Sequence, residues 1–211
     1  MTSLLSYLLV VSALTSPLAG SDAVELRYRG SLTETGRDSN GETVKRFNIY
    51  CLLTKSEGDG RRLAFLVDEN GGGSWPWPEQ YGLIDLDASL RPLTPAQIRL
   101  LYTHDGQPTS IRVRRPLVEH HAKLAEHANG TVGDSKYSVT GSAKVQDLDC
   151  WRVEAVTNFG LREELAVEKQ SGLIVSGRRD LTRGRGVPFS LFFELQSHKP
   201  LEKADEEKLQ K

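Results

Sequence analysis

From about residue 20 onward, apolar residues recur at every second position in short segments separated by turn residues. Val24, Leu26 and Tyr28 alternate with Glu25, Arg27 and Arg29. Phe47, Ile49, Cys51 and Leu53 define a second apolar face, and Leu63, Phe65 and Val67 a third. A period of two places successive side chains on opposite faces of an extended chain, so each segment reads as a half-buried strand. Similar segments run over 82–87, 97–104, 109–115, 136–146, 150–157, 161–168, 173–179 and 189–196, about eleven strands in all. Asn70-Gly71, Asn158-Phe159-Gly160 and Ser171-Gly172 supply turn chemistry between them. Short connections favour antiparallel pairing, because a parallel sheet needs a long crossover between strands.

One stretch departs from alternation. Pro116 to Ala128 begins with a residue suited to a first helical turn and is followed by Asn129-Gly130, a helix-stop signal. Leu117, His121, Leu124 and Ala128 fall at i, i+4, i+7 and i+11, which predicts one amphipathic helix packed on or in the concave face of the sheet. The expected fold is therefore mainly β: a curved antiparallel half-barrel around one helix.

The start of the chain differs again. Leu4 to Leu14 is uncharged and apolar-weighted, and the small-residue stretch Ser16-Pro17-Leu18-Ala19-Gly20 follows it. A helix crossing a bilayer needs ~20 apolar residues, so this run reads as the core of a signal peptide over 1–20. The expected organisation is a single β-rich domain over 21–198 and a charged tail or linker stub over 199–211. Export then implies a periplasmic or extracellular protein, of bacterial type, with no transmembrane segment in the mature chain.

Composition narrows the partners. Lys and Arg total 27 against 28 Asp and Glu, leaving no global bias toward polyanions, so nucleic acid is not an expected partner. The only two cysteines are Cys51 and Cys150. In an oxidising compartment they form one disulfide; equally, both read as small apolar residues of strands.

Catalytic signatures are sparse. His120, His121 and His127 lie beside Glu119 and Glu126, but none has a second histidine at i+3 or i+4, as a zinc site on one helix requires. No metal site and no cofactor are expected. Neither a G-x-S-x-G elbow nor a G-x-x-x-x-G-K loop occurs. The expectation is a protein without catalytic residues.

Two features point to binding instead. In Gly71-Gly72-Gly73-Ser74-Trp75-Pro76-Trp77-Pro78, flexible glycines lead into two tryptophans stiffened by prolines. Trp75 and Trp77 read either as a ligand or partner contact or as the cover of a sheet edge. Arg178, Arg179, Arg183 and Arg185 form a cluster suited to a phosphate, carboxylate or lipid head group, or else a solvated hairpin and strand face.

The run Leu148-Asp149-Cys150-Trp151-Arg152-Val153-Glu154, the Asn158-Phe159-Gly160 turn, the segment 168–175 and the strand 189–196 resemble the second half of LolA-type curved-sheet domains. That resemblance implies a half-barrel wrapped on a helix, with an apolar cavity for a lipid, acyl chain or lipoprotein. The Trp-Pro loop and the Asp-Cys-Trp strand also resemble an uncharacterised group of exported bacterial β-rich proteins. The leading expectation is an exported, non-catalytic module that binds a partner or ligand in the cell envelope. A carrier of an apolar ligand is the alternative.

Overall fold

The computed structural model describes residue 18 and residues 21–35, 41–56, 59–104, 106–132, 135–158, 160–183 and 187–201. Ten strands form one sheet: β1 (Ala23–Glu34), β2 (Thr43–Lys55), β3 (Arg61–Asn70), β4 (Tyr81–Leu86), β7 (Asn129–Val132), β8 (Ser135–Val145), β9 (Leu148–Thr157), β10 (Arg162–Glu168), β11 (Ile174–Arg183) and β12 (Val187–Leu201). Two more, β5 (Arg99–His104) and β6 (Gln107–Arg112), pair only with each other. The large sheet has the order β4-β3-β2-β1-β12-β11-β10-β9-β8-β7, antiparallel throughout, and it does not close into a barrel.

Alternation decides which face is buried. Val24, Leu26, Tyr28 and Leu32 of β1, Phe47 to Leu53 at odd positions of β2, and Phe189, Leu191, Phe193 and Leu195 of β12 all point inward and are almost inaccessible. Each such Leu or Phe contributes ~1.5–3 kcal/mol by leaving water. Against this face packs the β5–β6 hairpin, whose Leu100, Tyr102 and Ile111 join the same core as Ile98, Val113 and Leu117. The ring of Tyr102 meets that of Phe189 edge to face, with centroids 5.3 Å apart. Tyr28 donates a hydrogen bond from its hydroxyl to the Ile174 carbonyl at 2.7 Å, tying β1 to β11 from within.

The expected helix over 116–128 is absent, and the described residues hold no α-helix at all. Leu117 instead makes an isolated antiparallel bridge with Leu173; Val118 donates to the Gly172 carbonyl and Ile174 to that of Pro116. The backbone groups that would bond along a helix are thus engaged sideways by the 172–174 strand entrance. His120 (φ 52°) and His127 (φ 61°) adopt left-handed backbone, which interrupts helical propagation. Only one 3-10 turn, over His121–Lys123, remains, and strand β7, which alternation did not reveal, follows directly after the stretch. A 13-residue segment has little intrinsic helicity, so tertiary pairing overrides its periodicity.

Strand β12 also passes the expected domain end at 198. Lys199, Pro200 and Leu201 pair with Glu25, Val24 and Ala23. Residues 202–211, and all of the expected signal peptide over 1–20 except Leu18, lie outside the described residues. No helix among the described residues is long and apolar enough to cross a membrane.

Candidate functional site

The Trp-Pro loop is built on a buried ion pair that alternation alone did not reveal. Continuing the inward parity of β2 and β3 by one step brings Lys45 and Glu69 to the buried face. Their charged groups meet at 3.0 Å with both side chains inaccessible to solvent. Isolated, either charge would be costly to bury, but here each is matched by the other and takes further hydrogen-bond partners. Lys45 Nζ also donates to the Gly73 carbonyl; Glu69 Oε1 accepts from the Trp75 amide at 2.9 Å and Oε2 from the Leu101 amide at 3.1 Å. One acid therefore fixes both the loop and the β5–β6 hairpin.

Glycine is required here for contact as well as conformation. Gly72 has φ 59°, and a Cβ on it would come within 2.7 Å of the Tyr102 ring. Its carbonyl accepts the Thr103 amide, so the loop is clamped between β2 and β5. Beyond it, Trp75 lies half-buried under the Arg99 guanidinium, 5.0 Å from its ring centre, and Arg99 reaches Glu79 at 3.8 Å. Trp75 Nε1 is buried and has no hydrogen-bond partner among the described residues.

Trp77 behaves differently. It is 63 % exposed and packs only its side against Tyr81, centroids 5.6 Å apart. Tyr81 and Leu83 are 52 % and 56 % exposed on the outer face of β4, and Leu93, hydrogen-bonded through its amide to the Asp85 carbonyl, is 69 % exposed. Cross-strand register extends this surface inward along two rows. Tyr81 lies opposite Leu66, which lies opposite Tyr50; Leu83 lies opposite Ala64, which lies opposite Leu52. Tyr50, Leu52, Ala64 and Leu66 are all half-buried. The outer face of β2, β3 and β4 is therefore apolar as well as the inner one. The signal was present in the sequence: Ile49-Tyr50-Cys51-Leu52-Leu53 and Leu63-Ala64-Phe65-Leu66-Val67 are continuous apolar runs rather than alternations, the pattern of strands covered on both faces.

An open cleft of about 490 Å³ adjoins this surface at the β4 edge, lined by Phe65, Pro78, Tyr81, Pro95, Ala96 and Arg99 among others. A second, of about 240 Å³, lies across β10 and β11 among Arg162, Glu164, Arg178 and Asp180.

The arginine cluster is not assembled. Arg178 and Arg179 are adjacent in β11 and so face opposite sides; Arg178 donates to Ser190 Oγ at 3.0 Å and shares its cleft with Glu164 and Asp180. Arg183 closes β11, its side chain not among those described, and Arg185 lies outside the described residues. Acids of equal number neutralise the part that is described, which makes it a poor anion site.

Cys51 and Cys150 are free thiols, both buried. Four strands, β1, β12, β11 and β10, separate β2 from β9 in the sheet, so the disulfide alternative is not realised and both cysteines serve as core residues. Burial pushes the Cys51 thiol up to about 12. Burial, followed by the charges of Glu168 and Asp149, pushes Cys150 up to about 11. Neither thiol is a nucleophile near neutral pH.

No family model and no curated protein matches this chain. Among solved structures, it is similar to a DUF1329 family protein from Desulfovibrio piger, with 11 % identity, a TM-score of 0.32, and coverage of 88 % of this chain and 90 % of that one. It is also similar to a putative outer membrane lipoprotein-sorting protein domain from Vibrio parahaemolyticus, with 10 % identity, a TM-score of 0.31, and 92 % of each chain covered.

Proposed function

We propose that this protein is an exported, non-catalytic binding module that recognises a protein partner through the apolar outer face of β2, β3 and β4. The observation that carries this reading is the exposed group Trp77, Tyr81, Leu83 and Leu93, continuous with Tyr50, Leu52 and Leu66 behind it. Contiguous apolar surface rimmed by charged residues marks interaction sites on soluble proteins, and aromatic side chains dominate the energetics of such contacts. Trp77 is held on a short proline-flanked turn, so little conformational freedom is lost when a partner covers it. The uncharged Leu4–Leu14 run supports export.

A carried acyl chain would need the concave face to be hollow. That face is occupied by Leu100, Tyr102, Ile111, Val113 and Leu117, so such a ligand would enter only by displacing the β5–β6 hairpin.

The test is photocrosslinking in intact cells of the source, with benzoylphenylalanine placed at position 77 or 83 and, as a control, at the exposed Glu154 on the far half of the sheet. The expected result is one discrete protein adduct from 77 and 83, competed by added wild-type protein and absent from 154. Equal labelling from all three positions, or none, removes the reading. A lipid co-purifying in native mass spectrometry would favour the carrier instead.

A further inference from the structure

Strand β4 ends the sheet, and its outer edge is only partly closed. The Val67 amide bonds the Gln80 carbonyl, while the Asp85 carbonyl is taken from outside by the Leu93 amide. Alternation between these two points turns the backbone groups of Gly82 and Ile84 toward β3 and those of Tyr81 and Leu83 outward. Among the described residues, no backbone group pairs with the outward amides and carbonyls of Tyr81 and Leu83. The 490 Å³ cleft lies beside this same stretch, with Pro95 and Ala96 as its far wall and Phe65 beneath. Gly82 presents no side chain there, and a Cβ on it would press within 2.7 Å of the Phe65 ring. The edge is therefore open over about one repeat of the β ladder, and a hollow lined by Phe65, Pro95 and Ala96 together with Glu79, Gln97 and Arg99 accompanies it.

We infer that β4 binds an extended, uncharged peptide segment of a partner protein, added as an eleventh strand to the sheet. This rests on the outer-face reading above and specifies how that surface is engaged. Outward groups of Tyr81 and Leu83 supply four main-chain hydrogen bonds to such a strand. Its side chains alternate between the hollow over Gly82, which takes a neutral group beside Phe65 and the Arg99–Glu79 pair, and the Tyr81–Leu83–Trp77 surface, which takes an aliphatic or aromatic one.

Charge complementarity selects this occupant. The ionic groups flanking the edge are already matched within the chain: Arg62 with Asp85 at 2.7 Å, Arg91 with Asp87 at 2.9 Å, and Arg99 with Glu79 at 3.8 Å. A charged strand would find no unmatched counter-charge in these pairs. A second copy of this chain fits less well. Two-fold pairing about Gly82 brings Glu79 of one copy beside Asp85 of the other, like against like. Pairing about Leu83 requires the Asp85 carbonyl that Leu93 already occupies.

The probe is a capped, uncharged heptapeptide, acetyl-Thr-Val-Thr-Phe-Thr-Val-Thr-amide, with a version N-methylated at every internal amide as control. Amide hydrogen exchange of the full chain is read residue by residue with the peptide at about 1 mM. Exchange at Tyr81 and Leu83 is expected to slow at least about tenfold, with Gly82 and Ile84 unchanged, and the methylated peptide to give no protection. Leu83→Pro deletes an outward amide together with the exposed leucine side chain, and proline is tolerated at edge positions, so this variant should lose the protection at Tyr81 while its exchange elsewhere stays native. Should it not fold, the two peptides decide alone. No protection from the unmethylated peptide overturns the inference, as does equal protection from both peptides. Protection that appears without peptide and grows with protein concentration assigns the edge to a second copy and also overturns it. Loss of the peptide effect while position 77 still crosslinks leaves the outer-face reading intact.

Discussion

Lys45 and Glu69 show how one pair of side chains can organise a site. Removing the carboxylate charge leaves a buried ammonium without its counter-charge, which commonly costs ~3–5 kcal/mol. Glu69→Gln is therefore expected to lower the urea midpoint strongly. Lys45→Met combined with Glu69→Gln should recover a large part of that loss, because no unpaired charge stays buried. Equal midpoints for the single and double variants would show that the pair's ionic character is immaterial. The alternation of β2 and β3 continues to both positions, yet it did not reveal them as inward, because a charged residue there reads as the end of a strand unless its partner is known.

The cysteines illustrate the opposite case, where chemistry depends wholly on surroundings. With burial raising Cys51 to about 12 and Cys150 to about 11, thiolate is scarce at pH 7. Reaction with a thiol reagent such as dithionitrobenzoate is expected to be negligible in buffer and to release two equivalents per chain only in denaturant, matching the two cysteines present. Prompt reaction of either thiol in the native protein would contradict their burial.

Among the elements, the β5–β6 hairpin is the one whose position depends on a loop. Gly72 combines left-handed backbone with a 2.7 Å approach to Tyr102, so Gly72→Ala adds both strain and a clash. A loss of ~1–3 kcal/mol is expected, with hydrogen exchange accelerating at Leu101 and Thr103 before the strands of the large sheet. Uniform acceleration throughout the sheet would mean that the hairpin is not separately held. The strands themselves were legible because a period of two repeats in nearly every segment. The stretch 116–128 was not, because i, i+4, i+7 spacing reports which residues are apolar and says nothing of a neighbouring strand entrance that competes for the backbone. Leu117 is buried as the periodicity demands, but as one residue of a bridge to Leu173.

For the whole molecule, the raised thiols give stability a sign with pH. Free cysteine ionises near pH ~8.5, while the folded thiols hold their protons to about 11 and 12. Across that window the unfolded chain binds fewer protons, so stability is complete below pH ~8.5 and falls as pH rises, by at most ~1.4 kcal/mol per unit for each thiol. Tyr28, raised by burial above its usual value, adds to the same trend at the upper end. Urea midpoints measured from pH 8 to 11 should fall, and fall less steeply in Cys51→Ala with Cys150→Ala. Parallel slopes would refute the thiol contribution.

Residue order alone specifies a mainly β, antiparallel protein, the inward faces of most strands and the Trp-Pro loop as a place of unusual chemistry. It does so because alternation and turn residues are local and survive without knowledge of the fold. The fate of 116–128, the free state of Cys51 and Cys150, the division of the arginines and the open edge at Tyr81–Leu83 emerge with the assembled fold. Each of these turns on which strands become neighbours in the order β4 to β7, and adjacency between segments far apart in the chain leaves no periodic trace in either one.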